Sequence, residues 1–191
     1  MMRSFLRFMT VIVLSAVMSG CAGGQFLLQG REKTLNLDPD HGMVIFTSTF
    51  LNPNTVRLQS VIVREVNQYK TYKEAKVYPI PLARINYDIK AGTCVMPLLL
   101  PKGRYILQSF FGNFIPSWLA QAPAEMRAGL VFEVNPGMIT YAGHLTFDNY
   151  VKNQPPSVIK VDDNYDEDVG KAKNLFPILN GKEVQKNLFY N

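Results

Sequence analysis

A two-residue alternation on both sides of one turn constrains this chain more than any other feature. Leu130, Phe132 and Val134 alternate with Val131 and Glu133. Further on, Ile139, Tyr141, Gly143, Leu145 and Phe147 share one phase, and Thr140, Ala142, His144, Thr146 and Asp148 the other. Successive side chains of a strand point to opposite faces, so period two marks a strand with one buried face. Asn135-Pro136-Gly137 lies between the two runs. Proline sets φ and glycine accepts a positive one, as a type II turn requires. The pair reads as a β-hairpin.

The remaining apolar runs are also short and bounded by turn residues. Met43 to Phe50 is β-branched and apolar and stops at Asn52-Pro53-Asn54. Val56 to Val66 is a long strand candidate whose apolar phase slips between Leu58 and Val61, predicting a bulge near Ser60. Lys76 to Leu82 holds Pro79 and Pro81 and can only be an edge strand or a loop. Ile85, Tyr87 and Ile89 alternate with Asn86, Asp88 and Lys90 as a half-buried strand would. Val95 to Leu100 and Arg104 to Phe111 flank the tight turn Pro101-Lys102-Gly103. Only the end reads as helical. Asp166, Glu167 and Asp168 would occupy a first turn, with Lys171 and Lys173 near the last, the order that suits a helix dipole. Leu175 to Asn191 is a tail with a turn at Asn180-Gly181.

These elements predict a mainly β chain: an antiparallel β-sandwich over 43–161, then an acidic run, one short C-terminal helix and a tail over 162–191. Two stretches carry a resemblance, Leu-Pro-Lys-Gly-Arg-Tyr (Leu100 to Tyr105) and Phe-Glu-Val-Asn-Pro-Gly-Met-Ile-Thr-Tyr-Ala-Gly (Phe132 to Gly143). Their pairing is similar to small exported bacterial proteins with a transthyretin-like or carboxypeptidase-regulatory-like sandwich. The likeness spans Met43 to Phe147 and implies a scaffold or interaction module, with no catalytic residues to carry over.

The N-terminus has a different character. Arg3 and Arg7 form a positive n-region, and Phe8 to Val17 is an uncharged, mostly apolar h-region. That run is too short to cross a bilayer, which takes about 20 apolar residues. Met18-Ser19-Gly20-Cys21 follows. It resembles the lipobox of bacterial lipoproteins, with Met18 where Leu is usual. The resemblance implies a signal peptide over 1–20 and cleavage before Cys21. It also implies fatty acylation there, palmitate included, leaving 21–42 as lipidated N-terminus and short tether. An ordinary secretory signal cut after Ala22, or an uncleaved anchor, are the competing readings. Two or three acyl chains hold a protein firmly, since each buried methylene contributes about 0.8 kcal/mol. Ala22 after the cysteine implies, by the same resemblance, outer-membrane sorting and a periplasmic domain. No later stretch reads as a span: the uncharged interval from Arg104 to Glu125 is broken by Gly112, Pro116 and Pro123.

Composition sets the remaining bounds. The loss of Arg3 and Arg7 lowers the formal charge from +5 to +3, too mild for a nucleic-acid partner. With Cys21 lipidated, Cys94 has no partner for a disulfide. No metal or cofactor motif is present, and no cofactor is expected. Asp162, Asn164 and Asp166 have the first three spacings of a calcium loop, but Glu167 stands where that loop needs glycine and Lys173 where it needs glutamate. N-capping of the helix explains the acidic run better. The stretch from Tyr69 to Tyr78 interleaves tyrosines and lysines and reads as a solvated loop that could touch phosphates or an acidic polymer. The sharpest partner-binding candidate is Phe110, Phe111, Phe114, Ile115, Trp118 and Leu119, in a Gly- and Pro-broken segment. As a long loop it would bind a partner; as a lid it would fold onto the core. The function expected is a non-catalytic envelope module, held by its lipid on a membrane and recognising an envelope protein or polymer. The alternative is a ligand-binding or hydrolytic domain with a cleft near Cys94 and His144.

Overall fold

The alternating runs pair into two sheets in a computed structural model that describes residues 34, 35, 37–50, 56–66, 76–81, 87, 88, 93–117, 120–148 and 157–190. The strands are β1 (His41–Phe50), β2 (Val56–Glu65), β3 (Val77–Pro81), β4 (Tyr87–Asp88), β5 (Thr93–Pro101), β6 (Gly103–Ser117), β7 (Ala120–Val134), β8 (Ile139–Asp148), β9 (Ser157–Asp162) and β10 (Gln185–Lys186). Helix α1 (Tyr165–Leu175) and a 3-10 turn (Pro177–Leu179) precede β10. Among the described residues, one sheet runs β10-β8-β1-β5-β4, with β9 beside the far half of β8; the other runs β3-β2-β6-β7. The expected sandwich with one short C-terminal helix is the fold observed. Most ladders are antiparallel, but β8 runs parallel to both β1 and β10.

Several local expectations hold because they rest on local chemistry. Leu58 faces Gly112 and Ser60 faces Phe111, so Gln59 is the extra residue of the expected bulge. The two prolines of β3 sit at a sheet edge, where a missing N–H costs no ladder bond. Of the strand expected around Tyr87, only Tyr87–Asp88 is described. The turn at Asn52-Pro53-Asn54 lies outside the described residues.

The expected hairpin does not form. The turn itself is as read: Gly137 has φ 70°, and the Met138 N–H donates to the Asn135 carbonyl at 3.3 Å. Yet β7 pairs with β6 in one sheet, and β8 pairs with β1, β9 and β10 in the other. A type II turn splays the strands that it joins, whereas tight hairpins use the mirror-image turns. The chain therefore crosses from sheet to sheet here, as it does again at Lys102 between β5 and β6.

A second correction concerns the faces of β8. Ile45 lies opposite Tyr141 and Phe46 opposite Gly143, so Ala142 is an extra residue and the alternation changes phase. Ile139 and Tyr141 join a cluster beneath α1, while Ala142, Leu145 and Phe147 join the core between the sheets. His144 thereby shares the helix-facing side with Tyr141, which strict alternation forbids.

Two apolar layers result. The main core is dense in aromatic rings: Phe50 stacks on Phe147 at 4.7 Å, and Phe110 meets Phe147 edge-on at 4.9 Å. Such pairs contribute about 0.5–1.5 kcal/mol beyond their burial. The second layer places Met43, Ile45, Val95, Ile139 and Tyr141 of the sheet against Val169, Ala172, Phe176 and Leu179. Leu35 and Leu37 pack against this layer, so the lead into β1 is part of the fold.

Candidate functional site

Helix α1 has 11 residues, with Gly170 inside it. A helix that short is marginal alone and depends on tertiary contacts. Its buried residues are Asp168, Val169 and Ala172. Burying a valine contributes about 1.5–3 kcal/mol, while ordering each residue costs about 1–2 kcal/mol, so Val169 and Ala172, with Tyr165 edge-on to Tyr141, supply only part of what holds the helix down. The polar contacts of Asp168 therefore carry weight.

The Asp168 carboxylate is fully buried between α1 and the sheet. The Thr47 hydroxyl of β1 donates to its Oδ2 at 2.5 Å, and the Tyr141 hydroxyl of β8 does so at 2.7 Å. His144 Nδ1 lies 3.1 Å from the same oxygen and 2.7 Å from Thr47 Oγ1. The Asn164 N–H, at the start of the helix, donates to the Tyr141 hydroxyl at 3.2 Å. Thr47 has one hydroxyl proton and gives it to Asp168, so Nδ1 of His144 must carry the proton that Thr47 Oγ1 accepts. Every donor in the group thus points along one path to an ionised carboxylate. Burial opposes that charge, but the hydrogen bonds from His144, Thr47 and Tyr141 outweigh it and hold the Asp168 pKa below its ordinary value. Burial, and then the bond to Asp168, push the Tyr141 phenol upward.

This network joins two strands and the helix. Thr47 is wholly buried with its hydroxyl already committed, and His144, at 8 % exposure, spends Nδ1 inside. Sequence reasoning missed Thr47, Tyr141 and Asp168 as a set. The one available clue was polar residues interrupting apolar strands at Thr47 and His144.

The Cys94–His144 pair is corrected. Cys94 belongs to the core between the sheets, and His144 lies on the opposite face of the same sheet. Strand alternation on β5 and the bulge on β8 put the sheet between them. Burial pushes the Cys94 thiol up to about 12. In a full-length Cys21→Ser chain, a thiol-specific chromogenic reagent should leave Cys94 unlabelled in native buffer and label it fully in denaturant. Rapid labelling of the native protein would contradict this packing.

Phe110, Phe111, Phe114 and Ile115 of the aromatic segment belong to a strand rather than to a loop or a lid: they lie in β6, which pairs with β7 as far as Ser117 opposite Ala120. Contrary to the expectation of a partner contact, Phe110 is fully buried against Phe46 and Phe147 and offers no surface to a partner: β6 follows the pleat and turns it inward. Phe111, next along, is exposed. Phe114 and Ile115 lie on β6, and their side chains, with Trp118 and Leu119, lie outside the described residues. Most of the Tyr69–Tyr78 stretch is likewise outside, but Val77 and Tyr78 belong to β3 rather than to a loop.

Among the described residues, no three His, Cys, Asp or Glu side chains converge as metal ligands. The Asp162 carboxylate is paired with Lys160 at 2.7 Å, Asn164 is the N-cap of α1, and Asp166 lies in its first turn. The calcium candidates therefore do not close a loop around a common point: the chain enters a helix where a calcium loop must turn. A cleft of about 460 Å³ opens beside Leu35, Leu37, Met138, Lys182 and Gln185, and none of the network residues lines it.

Comparison with known proteins returned no matching family model, no matching curated protein and no matching solved structure.

Proposed function

We propose that this chain is the precursor of a membrane-anchored envelope lipoprotein whose sandwich serves as a non-catalytic interaction or structural module. The observation that carries this reading is the order of elements at the N-terminus: Arg3 and Arg7, the run from Phe8 to Val17, then Met18-Ser19-Gly20-Cys21. Ala22 favours the outer membrane over the inner one, in the pattern of the lipoproteins that this start resembles. We assign the partner contact to Phe111, Phe114, Ile115, Trp118 and Leu119, which fall in a sequence stretch without charge from Tyr105 to Ala124. An envelope protein or polymer is the class of partner that such an apolar stretch suits.

The decisive experiment is Cys21→Ser with a radiolabelled fatty acid. The wild-type chain should incorporate label and fractionate with membranes. The variant should incorporate none and accumulate as the uncut precursor. A variant that is cut and membrane-retained like the wild type would falsify the lipoprotein reading.

A further inference from the structure

The two sheets meet along a seam between β8 and β7, and the last residues of the chain lie in it. Gln185 and Lys186 pair with Thr140 and Tyr141. The Asn187 and Phe189 N–H groups then donate to the Tyr141 and Ala142 carbonyls at 3.0 and 2.7 Å. Tyr190 exchanges both backbone hydrogen bonds with Val131 of β7. The Phe189 ring enters the main core, edge-on to Phe46 at 5.5 Å and to Phe132 at 5.7 Å.

We propose that Val184–Tyr190 is an exchangeable strap, and that its seat between β8 and β7 accepts the same segment of a second copy of this chain. The seat is a strand-addition site with one aromatic socket, and the sequence that fits it is the chain's own C-terminus. An identical segment from another copy makes every one of these contacts again, which is why such exchange is a low-cost route to dimers. The strap's hold is local. Val184 and Phe189 are its buried side chains, Leu188 is half-buried against the second layer, and Gln185, Lys186, Asn187 and Tyr190 are exposed. Segments with so few buried contacts open without global unfolding. The connection behind it is an exposed hinge: Asn180, Gly181, Lys182 and Glu183 are all exposed, Gly181 turns with φ 73°, and the hydrogen bonds here run back to the 3-10 turn, from the Asn180 N–H to Pro177 and from the Lys182 N–H to Leu179. Only this hinge changes conformation on exchange. The inference stands on the strap alone and is independent of the lipid anchor.

The test uses two differently tagged full-length chains, both carrying Cys21→Ser, co-expressed in one cell. One carries Val131→Cys and the other Tyr190→Cys. Directly opposed, hydrogen-bonded antiparallel residues have Cα atoms about 5.5 Å apart, within disulfide reach. Mild oxidation should give a disulfide-linked species bearing both tags, several-fold above a control in which Lys102→Cys replaces Val131→Cys. A chain carrying both Val131→Cys and Tyr190→Cys should form the bond internally. An internal bond with no excess of the mixed species overturns exchange. Failure of the internal bond overturns the seat itself.

Discussion

Asp168→Ala should lower the free energy of unfolding by about 2–6 kcal/mol, because two buried hydroxyls lose their common acceptor. The loss has a definite source. The Thr47 and Tyr141 hydroxyls both donate to Asp168 and, without it, remain buried with donors unpaired. Each such group costs about 1–3 kcal/mol. Because α1 has little other buried surface, the helix and the residues behind it should loosen first. Urea unfolding with amide exchange would show this as a lower midpoint and lost protection over Tyr165–Leu175. A change under about 1 kcal/mol would mean that the network is not what fixes the helix.

The same carboxylate predicts a pH dependence. Its folded pKa lies below the ordinary value of 3.8, so its contribution is complete above that pH. As pH falls from 3.8 through the lower folded value, the carboxylate must take a proton and the contribution is lost. Asp168→Asn cannot show this part of the acid transition. Asp38 and Asp163 are also lowered, chiefly by His41 and Lys186, but both are exposed and both survive in the variant. Stability measured from pH 6 down to 2.5 should therefore fall more steeply in the wild type than in Asp168→Asn. Parallel curves would count against an ionised Asp168.

Gly42→Ala is the second large effect expected. A Cβ there would lie 2.1 Å from the Asn135 carbonyl oxygen and 3.0 Å from Val134 Cγ1. The obstacle at 2.1 Å is backbone, so no rotamer change relieves it, and β1 or the turn after β7 must move. Overpacking of this kind costs about 1–3 kcal/mol. At roughly 2–4 °C per kcal/mol for a chain of this size, the upper end is a fall of roughly 6–12 °C in Tm. Gly170→Ala is the contrasting case, since a Cβ there meets nothing within 4 Å and the residue lies inside α1. It should stabilise by about 0.5–1 kcal/mol through helix propensity. Equal effects at the two glycines would show that close approach does not govern Gly42.

Much of this fold was legible because its causes are local. The bulge beside Ser60 showed as a slip in apolar phase, and Pro79 with Pro81 placed β3 at an edge. The helix at Tyr165–Leu175 followed from acidic residues first and lysines last. The candidate site was not legible in this way. An aspartate in a first helical turn reads as a solvated partner of the helix dipole, and Asp168 fits that description until the helix is packed. Its donors come from 121 residues away at Thr47 and 27 at Tyr141, separations over which local pattern carries no information.

The sequence by itself determined the strand-rich class, the placement of most described strands, the C-terminal helix, and the N-terminal pattern ending at Cys21. Those follow from residue spacing and turn chemistry, which act over a few positions. Only the tertiary structure decided which strands share a sheet. It sent β7 and β8 to different sheets across an intact turn, placed Cys94 and His144 on opposite faces, and buried Phe110 while leaving Phe111 exposed. It also drew Asp168 into a buried network and the C-terminus into the seam. The physical reason is the same in each case. An extra residue at Ala142 reverses a strand's faces, and partners distant in sequence decide which polar groups can be buried.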